Sequence, residues 1–220
     1  MALSPSGPAV PSLTVRAFAE LMNMSLYQLR AYLVDYKYPK KGQAPFRIPY
    51  YRSALGAIRS YYRSGNQAQA LAHAIARISS SKLTPVCKAH NIRVVRAFQA
   101  SSQARRRLVP QVLAPMSATF HGLTLRHSPE LYATLGAQAK DVHILYNFRD
   151  QPITRDITVV TLELLHWLLG NTGHQLGSAS LEFVDLTSRS RIYRLGNVRP
   201  RTLHRARVTA QGIVHLWPTI

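Results

Sequence analysis

Residues 12–49 read SLTVRAFAELMNMSLYQLRAYLVDYKYPKKGQAPFRIP. Thr14 is a good helix N-cap, and Val15, Phe18, Ala19 and Met22 follow at helical spacing. Asn23-Met24 supplies a tight turn. Ser25 then caps a second helix over 26–36, with Leu29, Tyr32 and Leu33 on its inner face. Two short helices joined in this way form a helix-turn-helix, whose second helix is narrow enough to enter a major groove with its first residues at the base edges. Those residues are Tyr27, Gln28 and Arg30. A Gln side chain can read adenine and an Arg side chain guanine, each through two hydrogen bonds.

The stretch continues as a basic loop. Pro39, Gly42 and Pro45 exclude helix, and Phe46-Arg47-Ile48 alternates like a short strand. Lys37, Lys40, Lys41 and Arg47 would lie along phosphates as a wing. Residues 50–64 have helical spacing through Ala54, Leu55, Ile58 and Tyr61/Tyr62, and Gly65-Asn66 stops them. The segments LTVRAFAELMNMSLYQLRAYL and FRIPYYRSALGAI together resemble the MerR/excisionase-type winged helix-turn-helix over roughly 50 residues. The resemblance implies DNA binding by the second helix and the wing. It departs from the family in having Asn23 where a Gly is common and in lacking a following dimerising coiled coil, so no effector mechanism is implied.

Charge points to the same partner. The 220 residues hold 28 Lys+Arg against 9 Asp+Glu, a formal net charge of +19, and 22 of the bases are Arg. Such an excess costs self-repulsion unless a polyanion neutralises it, and Arg suits bidentate contact with phosphate and guanine. Duplex DNA is the expected partner, with RNA the alternative. Residues 1–65 carry net +7, residues 66–115 carry +8 with no acid, and residues 116–220 carry +4. Cys87 is the only cysteine, so an intrachain disulfide and a Cys-based zinc site are excluded. A cytoplasmic protein is expected, nucleoid-associated if bacterial. Residues 1–11 read as a disordered Pro/Ser arm, and no apolar run is long enough for a membrane span.

Residues 67–115 read as a basic helical segment and linker. Residues 67–79 form an Ala-rich helix. In 82–101 Thr84 and Pro85 start a helix, His90-Asn91 offers a turn, and Ile92, Val95 and Phe98 space a second helix. This pair is either a degenerate second helix-turn-helix or two core helices with basic outer faces. Arg93, Arg96, Arg105, Arg106 and Arg107 make a stripe suited to sequence-independent phosphate contact. Residues 109–115 read as a linker.

Residues 116–220 read as a small antiparallel α+β domain. Strands are expected at 119–126, 142–148, 180–186, 191–195 and 207–216, with a very apolar helix at 157–169 that a homodimer interface could cover. Arg189, Arg191, Arg194, Arg199 and Arg201 form a secondary basic patch. No P-loop, nucleophile elbow, His-Glu-x-x-His or dinucleotide fingerprint is present. The overall expectation is an α+β protein without cofactor, metal or catalysis that binds DNA as a regulator or organising factor. A nuclease relying on Glu182 or Asp150 is the enzymatic alternative.

Overall fold

In the computed structural model, which describes residues 10–39, 50–136, 140–187 and 190–220, the N-terminal stretch begins as a strand. Strand β1 (Ser12–Thr14) pairs in parallel with β4 (Leu123–His127), and β4 pairs antiparallel with β3 (Met116–Phe120). Thr14 ends the strand and caps helix α1 (Val15–Leu21) through a bond from the Ala17 N–H. After the turn, Ser25 caps α2 (Leu26–Lys37). The helix-turn-helix spacing of the sequence therefore corresponds to two helices held against a sheet.

The second sheet has five strands in the order β2 (Leu108–Gln111), β5 (Leu131–Leu135), β6 (Lys140–Asn147), β7 (Leu181–Asp185), β8 (Arg191–Arg194). Its two faces are both buried. Leu145, Leu181 and Phe183 point to one face, and Val142, Ile144, Tyr146 and Val184 to the other. Strands apolar on both faces need a layer on each side. The first face is covered by α6 (Arg155–Asn171), on which α1 and α7 (Pro200–Leu216) pack, with α2 and the three-stranded sheet joining the same core. The second is covered by α3 (Arg52–Arg63), α4 (Ala68–Ser80) and α5 (Pro85–Ala100).

Mixed α and β structure was expected, but several elements differ. The five-stranded sheet is mixed, because α6 carries the chain across from β6 to a parallel β7. Residues 85–100 form one continuous helix without a break at His90-Asn91. The Asn91 side chain is buried, donating to the carbonyls of Tyr50 and Cys87 and accepting from the Ala54 N–H, so it serves packing and not a turn. Residues 108–111 are an edge strand and not linker. Pro110 is tolerated there because an edge residue can turn its missing N–H away from the ladder. Residues 200–216 are a helix where a strand was expected. Its buried stripe is Thr202, Ala206, Ala210 and Ile213, too small and weakly apolar to dominate the reading.

The two cores also cross the expected boundaries at 66 and 115. Leu13, Phe18, Leu21, Leu29 and Leu33 share a cluster with Leu123, Leu165 and Ile213, whereas Ala54, Ile58, Tyr61 and Tyr62 of α3 pack with Val94, Phe98 and Ile144. Helix α3 thus belongs to the layer opposite α1 and α2. The apolar helix α6 is covered within the chain by α1, α7 and both sheets, so it leaves no face that calls for a second copy. Residues 40–49, with Lys40, Lys41, Arg47 and the expected wing, lie outside the described residues, as do 1–9 of the arm and Arg189.

His127 of β4 and His143 of β6 bridge the two sheets, with Nε2 atoms 2.8 Å apart in a buried setting. Burial holds both imidazoles neutral. His143 falls to about 4, with nearby His174 adding to the effect, and His127 is pushed well down with help from His143 and Arg16. A folded-state pKa below the free value of about 6.5 gives stability that is complete above that pH and lost as pH falls through the window to about 4. Chemical denaturation followed from pH 7.5 to pH 4.5 should show a loss of about 2–3 kcal/mol from His143 alone, with His127 adding to it. His143→Gln should flatten that slope. Leu33→Ala, which empties the anchor of α2, should cost about 2–5 kcal/mol by the same assay.

Candidate nucleic-acid interface

Helix α2 is built to be held on one side and open on the other. Leu33 is fully buried and Leu29 nearly so, while Leu26, Tyr27, Gln28 and Arg30 are exposed, Tyr27 at 84%. The turn before it is fixed by the Asn23 side chain, which donates to Ala19 O at 2.9 Å. The N-terminus is closed by a capping box: the Gln28 N–H donates to Ser25 Oγ, and Gln28 Oε1 accepts from the Ser25 N–H at 3.0 Å. Gln28 therefore has its side chain committed to the cap. Tyr27 and Arg30 are the expected base-contacting residues whose side chains are exposed and outside this cap.

The C-terminal end of α2 is tied to the end of α7. Lys37 donates to Trp217 O at 2.6 Å and to Ile220 O at 2.8 Å, with its ammonium over the Trp217 ring. An expected phosphate contact is thus a structural tie. From this junction α7 runs away with Arg207, Arg205 and Arg201 exposed along it and the Ala206–Ala210–Ile213 stripe turned inward. Arg207 was expected to open a strand; on this helix it and Arg205, two places apart, flank the buried stripe on opposite sides. A Pro at the first helical position and a buried residue every third or fourth place, ending at Trp217, were the available signal.

The remaining arginines divide by what the few carboxylates hold. Arg93 bonds Asp150 at 2.6 Å and Phe148 O at 2.9 Å. Arg106 pairs with Glu182, which also takes Arg194 at 2.9 Å; Arg199 pairs with the fully buried Glu163 at 3.0 Å. Among the described residues, Arg96, Arg105, Arg107, Arg191 and Arg201 are exposed with no carboxylate in ion-pair range. The expected stripe is thereby thinned, and the run 105–107 is split by its geometry. Arg106 has an extended backbone and turns inward, while its two neighbours turn outward, as alternation along an extended chain requires.

Arg105 and Arg107 line a cleft of about 900 Å³ between the end of α3 and residues 104–110. Arg63 stands on its other side, and no carboxylate lines it. The wall is braced from α3. Tyr61 and Tyr62 hydroxyls donate to the carbonyls of Ala104 and Gln103, each at 2.7 Å, and the Asn66 side chain donates to Arg106 O at 2.6 Å. Gly65 and Asn66 both have positive φ, +70° and +67°, which ends α3 and swings Asn66 onto that wall. A smaller pocket continues from Arg63 to Arg59, Gln111 and Tyr132.

Glu182 and Asp150 occupy separate ion pairs, and no group of three or more His, Cys, Asp or Glu suited to a metal ion occurs among the described residues. No helix among them is long and apolar enough to cross a membrane. The chain matches no protein-family model and no curated protein sequence. Gln28→Ala should lower stability by about 1 kcal/mol in thermal or denaturant unfolding, whereas Gln28→Glu, which keeps the cap acceptor, should not. Glu182→Ala should cost more, about 3–5 kcal/mol, because it strands the Arg106 guanidinium.

Proposed function

We propose that the protein binds duplex DNA without altering it chemically, as a transcriptional regulator or DNA-organising factor. In this reading the α1–α2 pair acts as a helix-turn-helix of the winged MerR/excisionase type. Tyr27 and Arg30 meet base edges, and Arg201 and Arg205, which share one flank of α7, extend the phosphate contact on the same layer. The reading rests on one observation: α2 is anchored through Leu29 and Leu33 while its N-terminal turn, carrying Tyr27 and Arg30, stands open to solvent. The surplus charge supports it. The carboxylates are largely committed to internal partners, so the field outside is set by arginines, and such a field draws in phosphate backbones.

Base readout and phosphate attraction separate by mutation. Arg30→Ala should weaken binding to a selected duplex by about 1–3 kcal/mol and leave random duplex nearly unaffected. Equal loss on both would reduce Arg30 to a phosphate contact. Footprinting on genomic fragments at physiological salt, with RNA of equal length as competitor, tests the class of partner. Preferential displacement by RNA would overturn the reading.

A further inference from the structure

We infer that the chain holds two nucleic-acid segments at once, one on the α2–α7 layer and a second in the cleft between α3 and β2. This inference rests on the proposed duplex binding by α2, and it assigns the cleft to a second duplex.

The argument is geometric. The five-stranded sheet separates two helical layers, with α2 and α7 on one side and α3 on the other. Helix, sheet and helix stacked together span about 30 Å. Duplex DNA is stiff over about 150 base pairs, so a short straight segment seated on α2 does not reach the opposite layer. The cleft nevertheless has what a phosphate backbone needs. Arg63, Arg105 and Arg107 converge on it without a carboxylate partner, and no acid lines it. Its wall is rigid, because Tyr61, Tyr62 and Asn66 brace residues 103–106 from behind. Arg106, the member of the run that would compete for the same phosphates, is withdrawn to Glu182. Three cations held open around one cleft, two of them on its braced wall, are costly to self-repulsion, and a polyanion relieves that cost.

The test uses the full chain and two 20-base-pair duplexes, one immobilised and one fluorescent, each too short to wrap the protein. Wild-type protein should capture the fluorescent duplex on the immobilised one. Arg105→Gln/Arg107→Gln changes only exposed side chains, and an unchanged melting temperature verifies its fold. It should reduce capture by about tenfold or more, while its binding to a single duplex at the α2 footprint stays within about twofold. The capture signal should also lose salt dependence, its log–log slope falling by about 2. Absence of capture by the wild type at every protein-to-DNA ratio overturns the inference. So does undiminished capture by the double variant, the result expected of a dimer of single-site chains. Tyr27→Ala/Arg30→Ala on a single duplex reports separately on α2: unaltered footprinting there refutes the α2 reading, whatever the cleft variant does.

Discussion

Strands β6 and β7 have buried residues on both faces, Ile144 and Val184 toward one layer, Leu145 and Phe183 toward the other. A sheet of that kind is unstable in water until both faces are covered, and the order of the helices follows from this requirement. Helix α6 returns the chain from β6 to β7 across one face, and α3 to α5 close the opposite face. The N-terminal helices then have one place left, beside α6, where β1 can join the small sheet next to β4. Arg16 fastens them there, donating to Tyr146 O at 2.8 Å and lying over the Phe183 ring.

The same division sorts the charge. Buried carboxylates at Glu163 and Glu182 hold Arg199, Arg106 and Arg194, of which only Arg106 is drawn inward, and Glu130 takes Arg16. Burying an ion is tolerable only with a partner, so these acids select which arginines become structural. Among those left exposed, Arg30, Arg201 and Arg205 stand on one layer and Arg63, Arg105 and Arg107 on the other. A chain with so many bases and so few acids thereby acquires two cationic surfaces, with one built around a helix and the other around a cleft.

Much of the architecture was legible. The capping residues Thr14, Ser25 and Thr84 mark helix starts that the fold uses, and the apolar run around 157–169 is indeed a buried helix. Elements with weak local signals were not legible. Helix α7 hides its periodicity in alanines, and β2 carries a proline that only an edge position accommodates. The inward turn of Arg106 and the diversion of Gln28 and Lys37 depend on partners distant in sequence or on competing local bonds.

Local periodicity and capping chemistry, which act within one or two helical turns, allowed the sequence alone to establish most helices, strands β6 to β8 and the positive field, but not the interior strand β5. Which arginines remain outside, which layer α3 joins and where a cleft opens were decided only by the tertiary structure. Those outcomes depend on contacts between residues up to 183 positions apart, such as Lys37 with Ile220, and no local pattern encodes the partner at the far end of such a contact.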